Sequence, residues 1–521
     1  MTLSEAVKMD HDSSKSLARA AERLFELGRG NSALALLRNV IPSHLTCDQL
    51  RKLRAHGEER NDLDLVLTMT RHLLVKLKRT ETDKDKREFD ALIGSDFGAL
   101  AILHDLPEPV EPIQPVAGRL IYLLHHSLPY LSNGYATRGH GMATGMKMAD
   151  LDLVCITRPG FPLDVKKLDL TLAPPTDTID GLLYHHLPEP RWTGPGRSKT
   201  YITDAAQVIE AQIRQHRPQA IMAASNYIAA LPALIAAKRC GIPMAYEVRG
   251  FWEITNASRD PATESSMTHQ LKIRLDAKLA AMADQVFTLS QTMKGELIRR
   301  KVPADKIALL PNACDPDLFR PRPRDAALAA RHNLPADVPV IGYIGSFVDY
   351  EGLDDLTRAC AQVRREGHSF RLVLVGASDG AMHKRITRIA EAEALGDWLI
   401  LPGRVPHDQV EAWYSLIDIA PFPRKPVPVT ELVTPLKPLE AMAMEKAVVM
   451  SSVAAMTEMV EHGVTGLVFQ KGSAQALARV LARLIAEPDL RQSLGQQARA
   501  FVRAERTWAK MGERVKDWLP K

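Results

Sequence analysis

The sequence predicts an α/β protein, with two consecutive doubly wound domains behind a helical N-terminal region. Three observations carry this. Short apolar runs of strand length recur from Gly118 onward, amphipathic segments separate them, and the alternation restarts after a charged, proline-containing stretch at 316–336.

The helical region comes first. In SLARAAERLFELGRG, residues Leu17, Ala20, Ala21, Leu24 and Leu27 recur at helical spacing before a Gly-Arg-Gly break. NSALALLRNVI, LDLVLTMTRHLLVKLKR and TDKDKREFDALIGSDFGALAIL continue the pattern. Such helix-turn-helix pairs resemble tetratricopeptide-type repeats without carrying their consensus, and an extension covering a neighbouring face is the simpler reading. It spans 1–104, and the proline-rich segment after it makes 105–117 a linker.

RLIYLLHHS, DLVCITRPG, GLLYHHL, QAIMAASN, MAYEVRG, QVFTLS and IALLPN then read as strands of a first Rossmann-like domain, 118–316. VPVIGYIGSF, FRLVLVGAS, WLILPGRV, DIAPFP, AVVMSS and TGLVFQ form a second, 337–500. Residues 501–521 read as a C-terminal helix able to cross back to the first domain. In such sheets ligands bind outside the carboxyl ends of the strands, here in the cleft between the domains.

Composition narrows the class. A chain of 521 residues with 45% hydrophobic and 25% charged residues is globular, not disordered or rod-like. No apolar run approaches the ~18 residues of a membrane span. MTLSEAVKMDHDSSKS lacks the apolar core of a secretory signal, so a cytoplasmic protein is expected. Cys47, Cys155, Cys240, Cys314 and Cys360 are spread without a CxxC pair, which excludes the usual zinc spacings and gives no disulfide framework. The net charge of +5 allows an anionic ligand. RPRPR (320–324) is short and proline-broken, a solvated hinge, so no nucleic-acid partner is expected. His125–His126 and His185–His186 lack a third metal ligand and read as packed or solvated. GASDG (376–380) is a glycine turn, not a dinucleotide fingerprint.

The strongest motif is ELVTPLKPLEAMAMEKAVVM, 431–450. Pro438 and Glu440 mark a helix start after an extended loop, and converging backbone N–H groups there suit a phosphate. Lys437 adds a positive charge, and Glu440 can accept from sugar hydroxyls. By spacing alone the segment is equally an ordinary capped helix. SNGYATRGHG (132–141) follows a strand and precedes a helix, either a close backbone approach to a ligand or a tight turn. YEVRG (246–250) ends a strand at the same edge, so Glu247 and Arg249 either face the cleft or are solvated strand-end charges.

Together these segments resemble the retaining GT-B glycosyltransferases of family 4, in the branch with Pro-Leu-Lys before the final motif glutamate. GYIGSF, LVLVG, LPGRVPHDQVEAWYSLIDIAPFP, TPLKPLEAMAM, KAVVMSS and EHGVTGLVF follow the family's order, as do SLPYLSNGYATRGHG, YEVRGFWE, LSQTMKGEL and LPNACDPDLF. The resemblance covers roughly 118–515 and leaves the helical extension outside.

The resemblance implies transfer of a sugar from a nucleotide-diphosphate sugar to an acceptor hydroxyl with retention, in surface polysaccharide or glycolipid biosynthesis. It implies no cofactor and no metal, a saccharide or lipid-linked acceptor, and peripheral contact with the inner face of the cell membrane. The N-terminal helices are left for a protein partner. Glu440 takes the second glutamate of a Glu-x7-Glu motif and would hold the donor ribose. The first falls at Leu432, with Glu431 one residue out of step. The family's Arg and Lys after the first strand of the second domain are replaced by Ser346 and Glu351. Lys437, Arg404 and Arg424 are then the candidates to neutralise the leaving diphosphate. Thr434, Leu436, Gly345 and Ser346 complete the implied donor site. Gly134, Tyr135, Arg138 and His140 form the implied glycine loop of the first domain. Catalytic roles fall to Lys437, Arg249, Glu247 and His140. Two rivals stay open: a non-catalytic glycosyltransferase-like scaffold in a polysaccharide assembly complex, and a GT-B-fold sugar-nucleotide epimerase.

Overall fold

A computed structural model describes residues 12–79, 82–103, 106–109, 111–376, 380–406 and 409–520. The start of the segment read for a secretory signal, and the middle of GASDG, lie outside the described residues.

The first sheet comprises β1 (Arg119–Leu124), β2 (Asp152–Thr157), β3 (Thr176–Ile179), β4 (Leu182–His185), β5 (Ala220–Ala224), β6 (Met244–Val248), β7 (Gln285–Thr288) and β8 (Ile307–Leu309). Their order is β3-β4-β2-β1-β5-β6-β7-β8, with β3 antiparallel to β4 and the other pairings parallel. The second sheet holds β9 (Val340–Ile344), β10 (Arg371–Val375), β11 (Leu399–Gly403), β12 (Ile419–Phe422), β13 (Ala447–Ser451) and β14 (Leu467–Phe469). Its order is β11-β10-β9-β12-β13-β14, all parallel. Helices cover both faces, so every residue of β5, β6, β9, β12 and β13 is buried. That double burial is why these strands read as unbroken apolar runs. Strand order reverses between β1 and β5 and between β9 and β12, opening a crevice at each carboxyl edge.

The described residues between Asp12 and Leu103 are mostly helical. Leu17, Ala18, Ala21 and Phe25 pack with Leu50, Leu53 and Leu73 in a core of their own. Leu27, expected in that stripe, is 71% exposed because the helix ends at Glu26. The expected division at 104 is not a division in packing. Leu63, Ala99, Leu100 and Leu103 belong to the same core as Ile121, Ile202 and Leu234. Asp96 accepts hydrogen bonds from the Ser198 and Tyr227 hydroxyls, each at 2.8 Å. The proline-rich segment is itself docked, Ile113 N–H donating to Cys240 O at 3.1 Å and Val116 N–H to Arg217 O at 2.8 Å.

At the other end, the helix Trp508–Trp518 leaves the second domain and joins the first, where Trp508, Met511 and Val515 pack with Tyr122, Met142 and Met146. Gly145 permits this approach, since a Cβ there would collide with the Trp508 backbone. The two passages of chain between the domains touch: Cys314 N–H donates to Arg506 O at 2.9 Å, and Cys314 bridges Thr507. Among the described residues, no helix is long and apolar enough to cross a membrane.

Candidate active site

The second sheet's crevice gathers a cationic cluster on one carboxylate. Gly345 follows β9 at φ 153°, and a Cβ there would meet the Lys437 side chain. Glycine therefore lets Lys437 lie across the end of the strand. Lys437 opens the helix Lys437–Ala443. Its Nζ donates to Tyr343 Oη at 2.7 Å and lies 3.4 Å from Glu351 Oε1. Arg424, just past β12, grips the same carboxylate through Nε at 3.2 Å and Nη2 at 2.9 Å, while Nη1 donates to Val433 O at 2.8 Å. Burial pushes the Glu351 carboxyl up, but Arg424 and then Lys437 outweigh it and hold it at about 2. Glu351 is therefore ionised, and the three-residue cluster retains one positive charge. Lys437 is the cation that still reaches solvent, its side chain 21% exposed against 9% for Arg424.

Glu440 stands one turn into the same helix and accepts from Tyr414 Oη at 3.4 Å. Burial pushes its carboxyl up to about 7, against the pull of Lys437 and the Tyr414 bond. Ser346 is exposed, and its carbonyl accepts from Tyr343 Oη at 3.2 Å. Thr434 and Leu436 occupy the domain interface. Asn312 Nδ2 donates to Thr434 O at 2.8 Å, and Leu436 packs on the first domain's core.

Other expected residues sit elsewhere. Arg404 is exposed beyond β11, two strands from β9, and does not join the cluster. Glu431 is engaged within its own domain, accepting from Ala454 N–H at 2.8 Å and from Lys471 Nζ at 2.7 Å. Glu247 and Arg249 do not face the cleft, because they are buried in a closed network. Glu247 pairs with Arg249 at 2.7 Å and Arg138 at 2.9 Å and accepts from Tyr122 Oη at 2.8 Å. Burial pushes its carboxyl up, and the two guanidiniums bring it below the usual carboxylate range. Arg138 spends its remaining donors on Leu310 O at 2.8 Å, Pro311 O at 3.0 Å and Asn312 Oδ1 at 3.0 Å. Arg249 also donates to Tyr135 O at 2.9 Å, fastening the glycine loop to β6. These three residues position the loop; their donors are spent inside the domain. His140 is turned to the flank, between Tyr184 Oη at 2.7 Å and Asp180 Oδ2 at 3.0 Å. Gly134 opens the helix Gly134–Met148, capped by Asn133, and the space where a Cβ would stand is empty. Tyr135 accepts from Trp252 Nε1 at 2.6 Å beside Gly250, which also faces the second domain's Val433.

Sequence reasoning missed Tyr343, Tyr414 and Asn312, whose polar atoms hold Lys437, Glu440 and Thr434. Tyr343 and Tyr414 sit among apolar residues and read as core, and Asn312 stands only as one letter of LPNACDPDLF. His125 is packed, edge-on to Trp252 at 4.9 Å, and burial lowers its ring well below the usual range.

Two family models divide the chain. "Glycosyl transferase 4-like domain" matches residues 133–313 and "Glycosyl transferases group 1" matches 325–501. Sucrose-phosphate synthase from Thermosynechococcus elongatus superposes with a TM-score of 0.62 at 21% identity, covering 77% of this chain and 97% of that one. The chain has the GT-B glycosyltransferase fold. An Anabaena protein, HepE, solved with UDP and glucose, shares this GT-B architecture with a TM-score of 0.57 at 16% identity, over 77% of this chain and 98% of its own. A curated relative is the GDP-mannose-dependent alpha-(1-6)-phosphatidylinositol monomannoside mannosyltransferase of Mycobacterium tuberculosis. It is 28% identical over 220 residues, 42% of this chain and 56% of the relative. The D-inositol 3-phosphate glycosyltransferase of Xylanimonas cellulosilytica is 25% identical over 389 residues, 70% of this chain and 89% of the relative. The chain thus spans little more than half of the first curated relative it matches. The N-terminal helical region, the linker and β1 lie outside both family models.

Proposed function

We propose that the protein transfers a sugar from a nucleoside diphosphate sugar to an acceptor hydroxyl with retention, in the making of a surface polysaccharide or glycolipid. The observation that carries this reading is Lys437, partly exposed beside the Arg424–Glu351 pair at the reversal point of the second sheet. A diphosphate there meets a cluster already positive by one charge, with Lys437 laid over Gly345 at the end of β9. As the glycosidic bond breaks, negative charge grows on the leaving phosphate, and Lys437 stabilises it without reorganising. The leaving phosphate accepts the proton of the acceptor hydroxyl on the same face, which retains the anomeric configuration. Glu440 accepts from the donor's ribose hydroxyls, and the lysine and arginine supply the countercharge without a metal. The acceptor lies against the first sheet's crevice, across the cleft. The relatives' names, a phosphatidylinositol mannoside mannosyltransferase and an inositol phosphate glycosyltransferase, support a saccharide or lipid-linked acceptor.

A scaffold role is the second reading. Glu351 already absorbs one of the two cationic charges, and Glu431 is committed to Lys471. A thermal-shift series with UDP, GDP, ADP and their sugars separates the readings. A donor at a hundredfold over its Kd stabilises by ~2.7 kcal/mol. No shift with any nucleotide sinks the transferase. A shift followed by sugar release or transfer supports it, and an epimeric nucleotide sugar in a donor-only incubation points to the epimerase.

A further inference from the structure

A groove of about 910 Å³ lies between the N-terminal helical region and the helices Met267–Met282 and Gln291–Arg299 of the first domain. Six cations line it, against the two carboxylates of Asp62 and Asp64. Part of this charge is spent: Arg274 pairs with Asp64, Arg299 with Glu296 at 2.7 Å, and Arg300 with Glu253 and Glu296 at 2.7 Å each. Among the described residues, Arg60, Lys278 and Lys301 line the groove outside these pairs, the Arg60 guanidinium lying 5.7 Å over the Phe25 ring. Burial lowers the Lys278 ammonium, and Arg71, outside the groove lining, lowers it further.

The groove does not end there. A second hollow of about 370 Å³ shares Ile273, Arg299 and Arg300 with it and opens on Pro428 and Leu432, which lead into the Thr434–Lys437 loop; of its carboxylates Glu264, Glu296 and Glu431, Glu296 is paired with Arg299 and Arg300 and Glu431 with Lys471. The wall from His269 to Ala281 is helical, so the trough runs about 18 Å at 1.5 Å per residue. Its cations stand on both sides, Arg60 on the helical region and the others on the first domain. A walled trough suits a chain laid lengthwise, whereas a bilayer surface needs a convex or flat basic face.

We propose that this groove holds the distal part of an anionic saccharide chain whose acceptor end lies in the interdomain cleft. The proposal rests on the transferase reading for the chain's direction, and on the groove alone for binding. Its test uses the full chain, a fluorescently labelled oligogalacturonate, a neutral maltodextrin of equal length, and phosphatidylglycerol vesicles. Anisotropy should rise with oligogalacturonate and not with maltodextrin, and the affinity should fall with added salt. The double variant Lys278→Gln, Lys301→Gln should bind oligogalacturonate about tenfold more weakly, the equivalent of ~1.4 kcal/mol, with nucleotide thermal shifts unchanged. Arg60→Gln, on the opposite wall, should weaken it in the same direction and guards against a folding defect in the double variant. Equal affinity in wild type and variants overturns the proposal. So does binding to the vesicles but not to the oligogalacturonate. Oligogalacturonate binding as expected, without any nucleotide shift, keeps the groove and removes the transferase.

Discussion

Glu351 and Lys437 lie 3.4 Å apart across the end of β9, although 86 residues separate them in the chain. The buried carboxylate stands where the resemblance leads one to expect a cation. It pairs with the two cations that the proposed mechanism sets against the leaving diphosphate.

Removing that carboxylate should cost stability before it costs chemistry. Glu351→Gln leaves Arg424 buried without a counter-charge, a loss of about 3–5 kcal/mol. The folded carboxyl, at about 2, lies below an unfolded value of ~4.3. Its contribution is complete above the unfolded value and is lost as pH falls from there toward 2. Denaturant unfolding should show a large gap between wild type and variant at pH 7 that closes as the buffer is taken toward pH 2.5. A gap that does not change over this range refutes the pairing.

Lys437→Met should lower kcat and kcat/KM together, by about 10²–10³ for a lost preorganised donor. Arg424 remains held by Glu351, so the fold should survive and nucleotide binding should weaken only modestly. Steady-state rates on the donor identified by thermal shift decide it. Unaltered turnover in a folded variant removes Lys437 from the mechanism.

Glu440 should make donor affinity depend on pH near neutrality. Its folded value of about 7 lies above the unfolded one, so its stabilising contribution is full below ~4.3 and is lost as pH rises through 7. The ribose hydroxyls need the carboxylate, so donor binding should tighten between pH 6 and 8 while the free protein becomes slightly less stable. Glu440→Gln should flatten both trends and chiefly raise the donor KM. Calorimetric titrations at pH 6 and 8 give the answer; identical pH trends in wild type and variant count against it.

A chain cut to begin at Val116 should fold poorly, because it strips Leu63, Ala99, Leu100 and Leu103 from the first domain's core and removes Asp96. Each lost large apolar contact costs about 2–5 kcal/mol in a core. A chain beginning at Ser95 keeps all of these except Leu63, and its unfolding midpoint should lie well above that of the shorter one. Equal midpoints would make the helical region a passenger.

The sheets were legible because parallel strands buried on both faces leave continuous apolar runs, as in RLIYLL and AVVMS. β3 was not: Thr176–Ile179 is a short antiparallel edge strand with no fully buried residue, and its polar alternation reads as loop. Lys437 and Glu440 could be picked out because proline, lysine and glutamate share one helix turn. The Arg424–Glu351 pair could not, since it joins β9 to β12 across 73 residues, and adjacency in the sheet is not adjacency in the chain. The same holds for Glu247. Its strand end promised exposure, but Arg138 comes from 109 residues away to close it over.

The contact between Cys314 and Thr507 has a mechanical meaning. Both passages between the domains run through one place, so the cleft is a pair of jaws on a single joint. Rotation there moves the Cys314 region hardly at all and the far lips of the cleft most. Because the joint is doubled, a protease that nicks either passage still leaves the two halves tethered by the other, and a clipped protein should elute as one particle until it is denatured.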